Sequence, residues 1–204
     1  MKRVVVLDYG SGNVRSVVRM LERVGADVEL TADREAALSA DGLYVPGVGN
    51  FHACMAGLDA VGAAGLIEQR LTNGRPVLGV CVGYQVMFDG SAEPSPAPLP
   101  GLRRWAGEVG RLEADVVPHM GWSQVAAGAG SVLLDGLDGE RFYFVHSFAP
   151  SRWGGADTAV VSTATHGGSF VAAIEDGLLA GTQFHPEKSG DAGAQLLRNW
   201  CDSL

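Results

Sequence analysis

The chain of 204 residues is 47% hydrophobic and 19% charged, which is the composition of a folded protein with one substantial core. Its formal net charge of −8 comes without a cluster of Lys or Arg, which argues against a nucleic-acid partner. No apolar run reaches the ~18 residues of a membrane span, and the amino-terminal run is shorter than the roughly 7–15 apolar residues of a secretion signal. The cysteines lack metal-ligand spacing. We therefore expect a cytoplasmic protein with no membrane segment, metal or cofactor.

The first half of the chain alternates short apolar runs with segments of helical periodicity. A strand followed by a helix and a second strand predicts parallel pairing, with helices on both faces of one sheet. Asp33 is a predicted cap of the second helix, and glycines divide the third. The predicted strands cover residues 4–7, 27–31, 42–45 and 76–80, and the predicted helices cover residues 13–24, 33–38, 51–70 and 82–88.

The second half has a different pattern. Residues 91–101 carry four prolines and predict an irregular connector within one domain of residues 1–204. Glu175-Asp176-Gly177 predicts a hairpin, and Ser189 a helix cap. Short strands with tight turns are predicted over residues 109–112, 114–117, 141–146, 158–163, 169–175 and 179–184. The fold class is therefore α/β, with a mostly parallel central sheet and an additional antiparallel portion in the second half.

Cys81 stands in Gly79-Val80-Cys81-Val82-Gly83, directly after a predicted strand. A nucleophile between two such glycines is typical of the sharp strand-to-helix turn of hydrolases. The positive end of the following helix would favour a thiolate at this position. The alternative is a buried core cysteine, which is the usual place of a free thiol.

His185 and Glu187 are two residues apart in His185-Pro186-Glu187. On an extended chain this spacing places both side chains on one face, where the carboxylate can orient the imidazole. The imidazole could then take the proton of Cys81 and return it to a leaving amine. The alternative is an exposed His and Glu at the end of a strand.

Acyl transfer also needs hydrogen-bond donors for the developing oxyanion. The turn at Cys81 offers the N–H of Val82. A second donor could come from Val48 or Gly49, in the glycine-rich segment that ends the third predicted strand. The alternative is that this segment is an ordinary turn.

These segments together resemble the class I (triad) glutamine amidotransferases, and among them the glutaminase subunits of imidazole glycerol phosphate synthases. The turn at Cys81 and the His-Pro-Glu segment are typical of the superfamily. The narrower resemblance depends on motifs that keep the family's order along the chain. They are Asp8-Tyr9-Gly10-Ser11-Gly12-Asn13, Pro46-Gly47-Val48-Gly49, Pro118-His119-Met120-Gly121-Trp122 and Tyr143-Phe144-Val145-His146-Ser147.

The resemblance implies an enzyme that hydrolyses glutamine through a thioester on Cys81. It also implies an ammonia-using (β/α)8 cyclase partner in a heterodimer of histidine biosynthesis, which makes imidazole glycerol phosphate and the purine precursor AICAR. The implied glutamine-binding residues are Gly49, Gln85, Glu93, Ser147 and Phe148. The implied partner contacts are Asn13, Met120, Trp122, Tyr143 and Lys188.

Two other functions stay open from the sequence. A glutaminase of this kind could supply a different synthase, although Pro46-Gly47-Val48-Gly49 argues against this. The chain could also be a non-catalytic scaffold that kept the fold, although the presence of Cys81, His185 and Glu187 together argues against that.

Overall fold

The buried apolar runs of the first half form the centre of a seven-stranded sheet in the computed structural model, which describes all 204 residues. The strand order is β10-β11-β12-β4-β3-β1-β2. These strands are β1 (Arg3–Leu7), β2 (Asp27–Thr31), β3 (Gly42–Val45), β4 (Val77–Val80), β10 (Val160–His166), β11 (Gly168–Asp176) and β12 (Leu179–Thr182). The five strands from β12 to β2 pair in parallel, and β11 and β10 add to one edge in antiparallel fashion. The predicted mixed α/β class is therefore confirmed.

The helices cover both faces of this sheet. They are α1 (Val14–Arg23), α2 (Arg34–Ser39), α3 (Phe51–Ala60), α4 (Ala63–Thr72), α5 (Val82–Gln85) and α6 (Gly190–Asp202). Helix α1 connects β1 to β2 in one direction across the sheet, and α2 connects β2 to β3 in the opposite direction. Because such crossovers are right-handed, the two helices lie on opposite faces. The direction reverses between β1 and β3, and the carboxyl ends of strands at such a reversal form a crevice. Every helix falls short of the length and hydropathy that a membrane-spanning helix requires.

Several sequence predictions about these elements were correct. Asp33 caps α2, because its side chain accepts a hydrogen bond from the Ala36 N–H. Gly62, with φ +64°, separates α3 from α4, so the glycine-divided helix is confirmed. The β11–β12 hairpin turns at Gly177, which has φ +60°.

Other predictions were wrong. Residues 114–117 form bends instead of a strand, with Val116 70% exposed. The helix predicted over residues 82–88 ends at Gln85. Ser189 stands at the start of α6 without capping it, because its hydroxyl donates to the His185 carbonyl at 2.6 Å and accepts from the Tyr143 N–H at 3.0 Å.

Outside the large sheet lie a two-stranded ribbon and a three-stranded sheet. The ribbon pairs β7 (His119–Gln124) with β8 (Arg141–His146) in antiparallel register, and β7 was not predicted from sequence. The small sheet joins β5 (Gly90–Ser91), β6 (Glu108–Arg111) and β9 (Phe148–Pro150). The ribbon leads directly into β9, so it sets the position of Ser147 and Phe148.

A buried arginine holds the opposite end of the sheet. Arg70 in α4 is fully buried, and burial lowers the pKa of its guanidinium to about 10, which leaves it charged at neutral pH. Its guanidinium donates to backbone carbonyls that precede β3 and β4. These carbonyls belong to Ala37, Ala40, Asp41 and Pro76.

Candidate active site

The ends of four parallel strands bring the predicted site residues together. The loop of residues 8–13 follows β1, residues 46–49 follow β3, Cys81 follows β4, and residues 183–187 follow β12. A cavity of about 370 Å³ opens between these loops and the ribbon. Its walls contain Val48, Gly49, Cys81, Val82, Gln85, Glu93, Pro118, Val145, His146, Ser147, Phe148, His185 and Lys188.

Cys81 occupies a strained turn. Its φ of +56° is in a region that residues with a Cβ rarely adopt, and its N–H donates to the Thr182 carbonyl at 2.8 Å. The turn packs tightly against β3, because a Cβ on Gly83 would lie 2.0 Å from the Val45 carbonyl oxygen. Only glycine therefore fits at that position. Since α5 is four residues long, its dipole contributes less at Cys81 than the predicted longer helix would.

His185 and Glu187 are in direct contact. Nδ1 of His185 lies 2.7 Å from Oε1 of Glu187, and the two side chains are 2% and 4% exposed. The predicted pair therefore exists, but the predicted extended backbone was wrong. Pro186–Lys188 form a 3₁₀ turn that curls the carboxylate back under the ring.

The electrostatics of His185 favour the imidazolium. Burial lowers its pKa, but the negative charges of Cys81 and Glu187 outweigh burial and raise the pKa of His185 to about 9. Nε2, the nitrogen away from Glu187, is buried and forms no hydrogen bond of normal geometry. A ring with one nitrogen held by a carboxylate and the other unpaired can exchange a proton with a neighbouring thiol.

Two of the three predicted oxyanion donors, the N–H groups of Val82 and Val48, donate to acceptors within the protein. The N–H of Val82 donates to the Gly47 carbonyl at 3.4 Å, and the N–H of Val48 donates to Oγ of Ser11 at 3.5 Å. Both distances are at the long end of the hydrogen-bond range. Gly49 follows with φ +86°, a conformation that favours glycine.

Four more of the residues with implied roles in glutamine binding line the cavity, namely Gln85, Glu93, Ser147 and Phe148. Gln85 donates from Nε2 to the Phe148 carbonyl at 2.7 Å, and Ser147 lies beside it in the cavity wall. Glu93 accepts the Phe51 N–H through Oε2 at 2.7 Å. The carboxylate of Glu93 therefore borders the cavity from the start of the proline-rich connector.

The residues with implied partner contacts divide into two groups. Met120 and Trp122 are 63% and 51% exposed on the outer face of the ribbon. Tyr143 lies on the same face, with the Trp122 ring at 6.0 Å and the Lys188 Nζ also at 6.0 Å from its ring centre. Asn13 is exposed before α1 and lines a small pocket together with His185 and Glu187.

The inner face of the ribbon carries a chain of hydrogen bonds that sequence analysis missed. His146 Nδ1 lies 3.0 Å from the Phe148 carbonyl, which only accepts, so this nitrogen carries the proton. His146 Nε2 then accepts from His119 Nδ1 at 3.1 Å, and His119 Nε2 accepts from the Ser123 hydroxyl at 2.8 Å. Burial is the main cause that lowers the pKa of His119 to about 4 and of His146 to about 3, so both rings are neutral.

Two further residues near the site were not predicted. His52 accepts from and donates to the backbone of the proline-rich connector at Glu93 and Leu99, which holds that segment over α3. Gln183 is fully buried, and its amide contacts both Gln85 and Cys81. The only indication in the sequence was that Gln183 precedes the His-Pro-Glu segment by two positions.

Comparisons with known proteins show the family of the chain. The family model for class-I glutamine amidotransferases matches residues 5–204. The chain is 59% identical over 204 residues to the imidazole glycerol phosphate synthase subunit HisH of Mycobacterium bovis, and the match covers 100% of this chain and 98% of that protein. It is 56% identical over 211 residues to the HisH protein of Corynebacterium diphtheriae, with 100% of both chains covered.

Solved structures share the fold at lower identity. A crystal structure of a glutamine amidotransferase has a TM-score of 0.76 at 19% identity, and the match covers 98% of this chain and 99% of the other. The structure of PurLQS from Thermotoga maritima has a TM-score of 0.68 at 17% identity, with 100% of this chain and 99% of the other covered. At these identities the likeness concerns the fold alone.

Proposed function

The chain belongs to the class I glutamine amidotransferase family, and we propose that it forms one amidotransferase domain over residues 1–204 that hydrolyses L-glutamine to glutamate and ammonia. The observation that carries this proposal is the shared cavity of Cys81 and His185, with Glu187 bound 2.7 Å from the far nitrogen of the imidazole. A nucleophile, a base and a group that orients the base are thereby placed in one site.

In the proposed reaction the Cys81 sulfur attacks the side-chain carboxamide carbon of glutamine after its proton has passed to Nε2 of His185. The imidazolium returns this proton to the leaving nitrogen, and ammonia departs from a γ-glutamyl thioester. Water then attacks the thioester with His185 as the base, and glutamate and the Cys81 thiol are regenerated. Glu187 stabilises the imidazolium at both stages.

The oxyanion of each tetrahedral intermediate would be held by backbone amides. Val82 and either Val48 or Gly49 supply these donors in the proposed site. Because the Val82 and Val48 amides donate at 3.4 and 3.5 Å to internal acceptors, a small backbone adjustment would release them. The proposed glutamine contacts are Gly49, Gln85, Glu93, Ser147 and Phe148, with the Glu93 carboxylate facing the substrate ammonium.

The ammonia is proposed to serve a cyclase partner. The relatives with 56% and 59% identity are named as subunits of imidazole glycerol phosphate synthase, and they match this chain over its whole length. We assign the acceptor step to a (β/α)8 cyclase in a heterodimer with this chain, which would form imidazole glycerol phosphate and AICAR in histidine biosynthesis. The lyase chemistry of the pair belongs to that partner, and a reducing cytoplasm suits a free catalytic thiol.

The outer face of the ribbon is the proposed docking surface. Exposed Met and Trp side chains are enriched at protein interfaces, and Met120 and Trp122 lie close to Tyr143 and Lys188. Lys188 also lines the cavity, so a partner on this face would cover the site where ammonia forms. Asn13 would extend the contact past the His-Glu pair.

The test is a glutaminase assay on the chain alone and with its cyclase partner, with and without the nucleotide that the cyclase consumes. We expect slow glutamate release from the isolated chain and a large increase in the loaded complex, with imidazole glycerol phosphate as product. Absence of glutamate release from the loaded complex would support the scaffold alternative. Full activity without a partner would contradict the coupling to a cyclase.

A further inference from the structure

The Gln183 side chain is a buried polar group that the proposed reaction does not use. It is fully buried at the end of β12, two residues before His185. Nε2 of Gln183 lies 3.9 Å from the Cys81 sulfur, and Oε1 of Gln183 lies 3.0 Å from Nε2 of Gln85. A buried amide has to satisfy both ends with partners of the right kind, so the direction in which it points has a cause.

That cause can be followed from the Phe148 carbonyl, which can only accept hydrogen bonds. Gln85 must therefore present its NH₂ group to Phe148, at 2.7 Å. The second N–H of the same group faces Gln183, so Gln183 must present its oxygen to Gln85. The NH₂ group of Gln183 is then left to point at Cys81.

The Phe148 carbonyl is itself fixed from the other side. His146 donates to it at 3.0 Å, and His119 and Ser123 extend this chain along the inner face of the ribbon. The direction of every bond in the network follows from one acceptor, since both histidines are neutral and each uses one nitrogen as a donor. The network therefore runs from Ser123 of β7 to the Cys81 sulfur without a break.

We propose that Gln183 is a positioning residue for the nucleophile, whose N–H group holds the Cys81 sulfur and favours its anionic form. An amide donor stabilises a thiolate more than a thiol, because hydrogen bonds to charged groups are the stronger ones. The side chain does not reach the carboxamide; it acts through the sulfur. This inference rests on the proposed role of Cys81 as the nucleophile.

The test compares Gln183→Met and Gln183→Glu with the unmodified chain and with Gln195→Met as a matched control on α6. Methionine keeps the length of the side chain and removes both the donor to Cys81 and the acceptor for Gln85. Glutamate keeps an oxygen for Gln85 and loses the amide that faces the sulfur. The Gln195 side chain lies in α6 and bonds only to Asn199 and Arg198, so its replacement should change neither the reactivity of Cys81 nor glutamine hydrolysis.

The first readout is the rate at which iodoacetamide alkylates Cys81, followed by mass spectrometry with buried Cys54 and Cys201 as references in the same chain. We expect alkylation of Cys81 to slow about fivefold to tenfold in both Gln183 variants, in line with the loss of one hydrogen bond to a charged group. Alkylation at the unmodified rate in the folded variants would overturn the proposal.

The second readout is glutamine hydrolysis by the complex with the cyclase partner. In Gln183→Glu, which keeps an oxygen for Gln85, we expect kcat to fall by a similar factor while KM stays within about twofold, because the lost bond acts on the nucleophile and not on substrate binding. A raised KM with unchanged kcat would mean that Gln183 shapes the glutamine pocket instead. If the unmodified complex released no glutamate, the proposed function would fail, whereas slower alkylation in the variants would still support the contact with sulfur.

Discussion

Nδ1 of His185 lies 2.7 Å from Oε1 of Glu187 across one 3₁₀ turn, so the base and its orienting group are held by a very short loop. The pair is nearly inaccessible to water, and its outer nitrogen is free of hydrogen bonds of normal geometry. The geometry keeps one tautomer of the imidazole and directs Nε2 away from the carboxylate. An imidazole held in this way is oriented before the substrate arrives.

Replacement of Glu187 by Gln should lower the pKa of His185 and slow the reaction. The carboxylate charge that helps raise this pKa to about 9 is lost, and the amide can stabilise the wrong tautomer. We expect kcat for glutamine hydrolysis in the complex to fall about 100-fold to 10,000-fold, which is the typical contribution of a positioned general base. The measurement is kcat in the complex, together with NMR titration of the His185 ring. An unchanged His185 titration would contradict the electrostatic argument.

Replacement of Cys81 by Ala should separate the two half-reactions of the complex. Glutamine-dependent synthesis should disappear, because no thioester can form. Synthesis from added ammonium salts should persist, because the acceptor step belongs to the partner. Both rates are measured by imidazole glycerol phosphate formation in the reconstituted complex. Loss of the ammonium-dependent rate would show that Cys81 serves structure instead of chemistry.

The paired histidines of the ribbon should make stability depend on pH. Because the pKa values of His119 and His146 are lowered to about 4 and about 3, both rings stay neutral in the folded chain at pH 5, whereas unfolded histidines bind protons below pH ~6.5. The unfolded state then binds more protons, so the free energy of unfolding should fall as pH decreases from 7 to 5. Each ring should contribute up to about 2 kcal/mol of that fall.

Urea unfolding at several pH values measures this dependence, and His119→Phe offers the comparison. Phenylalanine can stack on Phe144 as His119 does, at a ring separation of 4.7 Å, without a titrating group. The variant should lose less stability between pH 7 and pH 5 than the unmodified chain. In the unmodified chain, ring resonances of His119 and His146 should keep the shifts of neutral imidazole at pH 5. Protonation of either ring at that pH would refute the assignment.

Replacement of Arg70 by Met should destabilise the fold far from the site. The carbonyls of Ala37 and Asp41 would lose the guanidinium as donor, whereas those of Ala40 and Pro76 keep bonds from Arg75 and from the Leu43 N–H. We expect a loss of about 2–5 kcal/mol in the free energy of unfolding, because each buried carbonyl left unpaired costs about 1–3 kcal/mol. The control is Arg23→Met, which removes an exposed ion pair with Asp191 and should cost less than about 0.5 kcal/mol. Similar midpoints for both variants in thermal unfolding would contradict this account.

Sequence reasoning found the parallel strands because their burial leaves uninterrupted apolar runs, such as Val77–Val80. It missed β7 because His119–Gln124 has no β-branched residue and only two apolar side chains, Met120 and Trp122, which are exposed instead of buried. Its pairing partner β8 lies far along the chain. It placed a strand at residues 114–117, where two valines suggest one and Val116 is instead exposed. The helix after Cys81 has no polar face to mark its end, because Val82, Tyr84, Val86, Met87 and Phe88 are all buried.

The residues with proposed chemistry were found from local motifs, whereas the groups that orient them were not. Gln85 and Gln183 are 98 positions apart, and His119 and His146 are 27 apart. No local pattern connects such partners, since their contacts exist only after the strands have taken their order in the sheet. The 3₁₀ turn at Pro186–Lys188 also could not be predicted from the motif, because an extended backbone and a 3₁₀ turn both bring the side chains of His185 and Glu187 together.

The left-handed backbone at Cys81 has a consequence for how this chain tolerates change. A φ of +56° with a Cβ present costs roughly 1–3 kcal/mol, and glycine would relieve it. Laboratory evolution for heat tolerance alone should therefore favour glycine at position 81, where the proposed reaction requires a cysteine. Thermal stability and glutamine turnover therefore favour different residues at position 81. Any screen that raises the melting temperature of this protein needs glutamine turnover as a second criterion.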